Sequence, residues 1–532
     1  MACRAAGRPQ GASGDYPACP AARRAADNCR MILTLIACRP QARRAAGMLV
    51  ALASLAASAQ ALPPEIDTLL ARAQVPREAF AAVVVDAAPA LNGNPAPLLS
   101  WRAASPMNPA SVMKLVTAFA GLELLGPAYT WRTPVYVDGP VADGVLQGNL
   151  VIQGRGDPKL LMQQLWLLLR RVQALGIRAI SGDIVLDRSA FAAASQNPGD
   201  FDGEALRPYN VQPDALLLNY KSVVMTFMPN PGSASARISY DPPLAGVQMQ
   251  PGVPLSAGGN GRAPADCGDY RAQLQGDFAD PLRIAFAGSY PVACGEKVWA
   301  IAYPDPASYA RRAVAGLWQE MGGQLSGQVR DGAAPAGQAP AFEMESPPLA
   351  EVIRDINKFS NNVMARQLFL TLSLPRPGGA SNDASREAVR AWWQARFDGP
   401  GGAPNMPDIP NMPDVPVLDN GSGLSRAERI TPQGLARMLQ TAYVSGAMPE
   451  LMASLPIAGV DGTLRRSRSA VSQGWAHLKS GSLRDASALA GYVHTPSGRR
   501  LVVVGIVNHP NAAAARPALD ALVDWAVREG SR

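Results

Sequence analysis

The sequence predicts an α+β fold, in which an antiparallel sheet flanked by helices is interrupted by a large, mostly β insertion. Three observations lead there. The chain opens strand–strand–helix, with apolar runs at 81–86 and 98–101 around a proline-bounded turn at 89–97, then an apolar helix from Val112; that order suits helices packed on antiparallel strands. It closes on apolar runs at 486–493 and 501–507 around Pro496-Ser497-Gly498, a hairpin, followed by an amphipathic helix at 512–528. Between these ends, residues 133–340 are a succession of short β-like runs rich in proline and glycine. The expected division is therefore an N-terminal extension and secretory signal (1–61), a first part of the main domain (62–132), one or two inserted modules (133–340) and a second part of the main domain (341–532).

Composition narrows the class. With 532 residues and 48% apolar content the chain can bury a sizeable core. The formal charge of +7 is misleading, because eight arginines against Asp15 and Asp27 put six of those charges within 1–61. The rest is nearly neutral and carries no basic stripe, which excludes a nucleic-acid partner. In that tail Arg39, Arg43 and Arg44 precede the apolar run 48–57 and small-x-small sites ending at Ala59 and Ala61, the order of a cleaved secretory signal. The run is too short to span a bilayer, so the mature chain is expected in the periplasm with at most peripheral membrane contact.

Cysteine usage agrees. Of six cysteines, Cys3, Cys19, Cys29 and Cys38 precede the expected cleavage site, leaving Cys267 and Cys294. An even pair in an exported chain reads as a disulfide, closing a loop of about 27 residues and contributing about 3 kcal/mol on the loop-entropy argument. The alternative is two independent buried thiols. His477, His494 and His509 are scattered and no metal-ligand spacing occurs, so neither metal nor other cofactor is expected.

Along the chain, a short amphipathic helix at 65–73 precedes the first strand. Strands are expected at 134–137, 149–153 and 180–186, with an apolar helix at 160–175 after the turn Gly154-Arg155-Gly156-Asp157-Pro158. Further β-like runs fall at 222–228, 237–240 and 282–287. Helical spacing resumes at Leu349, Val352, Ile353 and Ile356 and runs to about 372. Residues 375–416 read as an exposed loop containing a tandem hexapeptide, Asn405-Met-Pro-Asp-Ile-Pro then Asn411-Met-Pro-Asp-Val-Pro. A helix follows Thr431-Pro432.

The chemistry concentrates in three stretches. In Asn108-Pro109-Ala110-Ser111-Val112-Met113-Lys114 a turn enters a helix apolar on every face, so Lys114 is expected among hydrophobic neighbours. Ser111 and Lys114 are three apart and share one face, and burial would lower the amine's pKa enough to take the hydroxyl proton. The plainer reading is a helix cap and a snorkelling lysine. Lysine is scarce here, however: only six occur, and three of them fall in these stretches. Asn357-Lys358-Phe359-Ser360-Asn361-Asn362 puts Ser360 and Asn362 within or between helices. His477-Leu478-Lys479-Ser480-Gly481-Ser482 reads as an edge strand, with Lys479 and Ser480 offering charge and hydroxyl and Gly481 permitting close backbone approach.

In this order, Ser-x-x-Lys, Ser-x-Asn and Lys-Ser-Gly form the signature set of penicillin-binding proteins and serine β-lactamases. The 249 residues between Ser111 and Ser360, and the 119 between Ser360 and Lys479, point closer still. So do Asp419-Asn420-Gly421-Ser422-Gly423-Leu424-Ser425-Arg426 and Leu455-Pro-Ile-Ala-Gly-Val-Asp461-Gly462-Thr463-Leu464. The chain resembles the D-alanyl-D-alanine carboxypeptidase/endopeptidase family of class C low-molecular-mass penicillin-binding proteins (penicillin-binding protein 4 type, peptidase family S13). Departures are small: Ser480 stands where threonine is commoner, and Asn361 where the family often has Asp.

The resemblance implies a serine β-lactamase/DD-peptidase-like domain and acyl transfer on peptidoglycan stem peptides, with β-lactams as covalent inhibitors. Ser111 would be the nucleophile and Lys114 its base, with the Ser111 and Ser482 amides as oxyanion hole. Ser360 would relay a proton to the leaving amine and Asn362 bind the substrate amide. Lys479, Ser480 and Ser482 would hold the terminal carboxylate. The rivals are a serine β-lactamase and a catalytically silent cell-wall-binding protein; Ser360-x-Asn362, the large insertion and the intact serines and lysines argue against them.

Overall fold

The structure is a computed structural model that describes residues 61–532 except 89–95, 193–196, 257–265, 377–378, 399–414 and 468. The expected signal segment, the four early cysteines and the hexapeptide repeat as far as Asp414 lie outside these residues. No helix among the described residues is long and apolar enough to cross a membrane.

Strands from both ends of the chain build one five-stranded antiparallel sheet, in the order Ala476–Leu483, Ala486–His494, Arg500–Asn508, Phe80–Asp86, Leu99–Trp101. Its inner strands read as continuous apolar runs because both faces are covered. Phe80, Ala82, Val84, Leu501 and Val503 point to a layer made by the Pro64–Arg72 and Arg516–Gly530 helices. Ala81, Val83, Val502, Val504 and Ile506 point the other way, into the main core. The Lys114–Leu125 helix runs through that core, with every residue from Lys114 to Leu122 buried. It ends at Gly126, whose φ of 84° no β-carbon-bearing residue adopts readily.

A second core, from Val135 to Phe342, fills the intervening stretch. The strands expected there are present, including Asn149–Gln153, Ser222–Asn230 and Ser235–Asp241. The stretch also carries two amphipathic helices, Met162–Ala174 and Tyr309–Glu320, the second of them not anticipated. The strand expected at 180–186 is two, Ala179–Ile180 and Ile184–Asp187, in different sheets. Between them Gly182 presses on the Gly148 carbonyl at a distance no β-carbon would tolerate. Cys267 and Cys294 form a disulfide with Cα atoms 4.4 Å apart.

One further expectation is sharpened and another needs correction. The helical run to about 372 is two helices, Leu349–Lys358 and Asn362–Thr371, which leaves Ser360 between them, one of the two placements expected for it. The 375–416 loop contains a helix, Asn382–Trp393, capped by Ser381 and burying Ser385, Ala388, Val389, Trp392 and Trp393. Its apolar spacing is regular, but the prolines and glycines on either side mask it in the composition.

Candidate active site

Ser111 lies in a 3₁₀ turn, Ala110–Met113, that feeds directly into the Lys114–Leu125 helix. The N-cap position of that turn is Pro109, so Ser111 is not an N-cap. Ala110 is held at φ 48°, a left-handed conformation costly for a residue with a β-carbon. Asn108 fixes it: its side chain accepts from the Ala110 amide and donates to the Ser425 carbonyl, while its backbone N–H is bound by Asn508.

Lys114 is fully buried, and its Nζ lies within hydrogen-bond distance of three oxygens. They are Ser111 Oγ at 3.0 Å, Asn362 Oδ1 at 2.6 Å and the Ser422 carbonyl at 2.5 Å. Burial holds the amine well below its ordinary value, and the neighbouring Lys479 and Arg366 charges push the same way; Glu428 opposes them.

Asn362 reaches this amine because the chain turns sharply after Lys358. Ser360 adopts φ 55° and Asn361 caps the next helix by accepting from the Met364 amide. The same turn puts Ser360 Oγ 2.9 Å from Lys479 Nζ. Lys479 is buried in the edge strand Ala476–Leu483, and burial, aided by the Arg516 charge, pushes its amine down to about 7. Gly481 lies against the nucleophile turn: a β-carbon there would sit 2.5 Å from the Pro109 carbonyl and 3.0 Å from the Ser111 amide. The strand thereby brings Gly481 and its neighbours Ser480 and Ser482 to the nucleophile turn, where Ser111, Lys114, Ser360, Asn362 and Lys479 gather; Cys267 and Cys294 belong to the second core.

Other members were not foreseen individually, although two of the quoted stretches contain them. Gly423 packs on the Ala110 carbonyl, and the Gly421 carbonyl accepts from Thr117 Oγ1 at 2.6 Å, so the loop carrying Ser422 is seated on the Ser111 helix. In the other stretch Asp461 pairs with the buried Lys358 at 2.6 Å, and Thr463 Oγ1 lies 2.8 Å from Ser480 Oγ. The intervening stretch reaches the site: the Tyr209 carbonyl accepts from Asn362 Nδ2 at 3.5 Å, and the Arg426 guanidinium stacks on Phe201, 5.3 Å from its ring centre.

Known proteins resemble this chain in sequence and in fold. A sequence model of the D-Ala-D-Ala carboxypeptidase 3 (S13) family matches residues 62–529. A D-alanyl-D-alanine carboxypeptidase of Actinomadura sp. is 27% identical over 421 residues, 76% of this chain and 74% of that one. D-alanyl-D-alanine carboxypeptidase DacB of Haemophilus influenzae is 26% identical over 408 residues, 75% and 80% of the two chains. The crystal structure of H. influenzae penicillin binding protein 4 (dacB) superposes with a TM-score of 0.64 at 23% identity, covering 87% of this chain and all of that one.

Proposed function

The chain belongs to the D-Ala-D-Ala carboxypeptidase 3 (S13) family, and from that premise we propose how its residues divide the work of a serine-type D-alanyl-D-alanine carboxypeptidase. Ser111 Oγ attacks the carbonyl between the two D-alanines of a peptidoglycan stem peptide. Lys114 takes the hydroxyl proton, the terminal D-alanine leaves as its amine is protonated, and water hydrolyses the resulting ester.

One observation supports this reading above the rest, namely the set of partners around Lys114 Nζ. A neutral amine has two N–H donors and one lone pair. Asn362 Oδ1 and the Ser422 carbonyl, at 2.6 and 2.5 Å, occupy both donors, leaving the lone pair for the Ser111 hydroxyl at 3.0 Å. Burial favours that neutral form. A base already aligned with its nucleophile accelerates attack without reorganising.

Ser360, 2.9 Å from Lys479 Nζ, is positioned to pass a proton to the leaving amine. Asn362 is assigned to the substrate amide, once substrate competes with Lys114 for it. Lys479, Ser480 and Ser482 take the terminal carboxylate, and the amides of Ser111 and Ser482 take the oxyanion. Cleavage of cross-links, covalent inhibition by β-lactams and work in the periplasm after export complete the proposal. The test is intact mass after incubation with benzylpenicillin, for wild type and Ser111→Ala. A lasting single adduct in wild type alone is expected. Rapid loss of the drug without an adduct would make the protein a β-lactamase, and neither adduct nor loss would leave a silent binder.

A further inference from the structure

We propose that Glu428 is a positioning residue for acylation, whose carboxylate both holds the loop that presents the Ser422 carbonyl to Lys114 and supplies the buried negative charge facing that amine. The inference rests on the assignment of Lys114 as base.

The geometry is unusual for a glutamate. Glu428 is completely buried. Its Oε1 accepts from three successive backbone amides, Asp419 at 3.2 Å, Asn420 at 3.2 Å and Gly421 at 3.1 Å. Three N–H groups converging on one oxygen fix the loop's entry. Beyond it the Gly421 carbonyl meets Thr117, the Ser422 carbonyl meets Lys114 Nζ, and the Ser425 carbonyl meets Asn108. The loop thus touches the nucleophile turn at its start, its base and its preceding asparagine. Its shape is set by a side chain that itself touches no reacting atom.

The second carboxylate oxygen, Oε2, is equally buried and has no hydrogen-bond partner among the described residues. A structural brace needs only the first oxygen, and an amide would serve it as well. Leaving an ionisable oxygen unpaired in the core is costly: burial pushes the Glu428 carboxyl up, and the amides of Asp419, Asn420 and Gly421 pull it back toward the charged form. The charged groups around Lys114 are Lys479 on the edge strand, Arg366 on the Asn362–Thr371 helix, and Glu428. Two of the three are cations, and among the described residues Glu428 is the charge that offsets them. Arg366 in turn is influenced by Asp419 and Glu428, and its buried Nε likewise has no partner among the described residues. Without Glu428, three basic groups would share one buried site with no fully buried counter-charge.

This separates two roles by substitution. Glu428→Gln keeps an oxygen for the three amides and turns its NH₂ toward the unpartnered side, so it should fold and lose only charge. Glu428→Asp keeps the charge and shortens the reach. The measurement is the second-order rate of benzylpenicillin acylation against pH, read by mass, with thermal melting as a control. Removing a nearby anion lowers the Lys114 pKa, so the acid limb of the Gln variant should move down by about one pH unit. The Asp variant should keep the wild-type limb with a plateau about tenfold lower, and Glu428→Ala should show both effects. If Gln does not fold, the Ala and Asp profiles decide the same question. A Gln or Ala profile with an unmoved acid limb overturns the charge role, and an Ala plateau equal to that of wild type overturns the loop role. A wild-type protein that takes no adduct on Ser111 overturns the underlying reading and this inference with it; superimposed profiles from proteins that do acylate overturn this inference alone.

Discussion

Thr463 Oγ1 and Ser480 Oγ lie 2.8 Å apart, joining a surface loop to the middle of the edge strand through their hydroxyls. Ser480 is assigned to the substrate carboxylate, so Thr463 determines which way that hydroxyl points. Thr463→Val keeps the shape and removes the partner. A neutral hydrogen bond contributes about 1 kcal/mol net. The expected outcome is a KM for D-Ala-D-Ala peptides raised about fivefold with kcat nearly unchanged. Steady-state kinetics on a diacetyl tripeptide would check it, and an unchanged KM would remove Thr463 from carboxylate recognition.

Gly481 is the position where added volume should be least tolerated. Its hypothetical β-carbon falls 2.5 Å from the Pro109 carbonyl and 3.0 Å from the Ser111 amide, both backbone atoms with little room to yield. Gly481→Ala should push the strand away from the nucleophile turn and spoil the oxyanion geometry. An acylation rate lower by about 100-fold is expected, the scale seen when one oxyanion donor is lost, with a melting temperature within a few degrees of wild type. An acylation rate within threefold of wild type would show that this contact does not set the geometry.

The two active-site lysines should shape the pH profile from opposite sides. Burial first, and then Arg516, push Lys479 down to about 7. It is charged below that pH and neutral above it, and the carboxylate site needs the charge. Lys114 is needed neutral, so its own lowered pKa forms the acid limb. The free-enzyme profile of kcat/KM should therefore fall as pH rises through about 7. Residual activity of Lys479→Met should lack that alkaline limb. A wild-type limb near the ordinary lysine value would contradict the assignment.

Asp461 and Lys358 form a 2.6 Å pair in which the lysine is buried and the aspartate half-open. Burial alone would raise the Asp461 pKa, but the Lys358 hydrogen bond, the Ile457 amide and the lysine charge together bring it below its usual value. A depressed carboxylate contributes stability that is present above its ordinary pKa near 4 and lost as pH falls through its lower folded value. Asp461→Asn should cost about 2 kcal/mol at neutral pH, because it strands a buried ammonium. The cost should shrink in acid, and adding Lys358→Met should recover part of it. Denaturant unfolding at pH 7 and pH 3 reads this directly; an equal loss at both would assign the effect to packing.

The order of the three motifs and their wide separations identified the family from sequence, because the roles proposed for Ser111, Lys114, Ser360, Asn362 and Lys479 each demand that residue type. Main-domain strands were legible for a simpler reason: a sheet covered on both faces demands unbroken apolar runs such as 501–507. The elements not fully legible are those whose signal is local but whose surroundings dilute it. Asn382–Trp393 is hidden by the prolines and glycines around it, and the helical spacing on both sides of Ser360 does not say whether it sits within or between helices.

What only the tertiary structure decided are contacts made through backbone atoms or across long separations. The Ser422 carbonyl that holds Lys114 comes from 308 residues away and carries no side-chain signature, since every residue has a carbonyl. Glu428, Thr463 and Asp461 bear side chains that are ordinary anywhere on a surface. They matter because the fold buries Glu428 under three amides and sets Thr463 and Asp461 against Ser480 and Lys358. Sequence fixes which groups are available, whereas burial and distance, which set pKa and direction, exist only once distant segments have packed together.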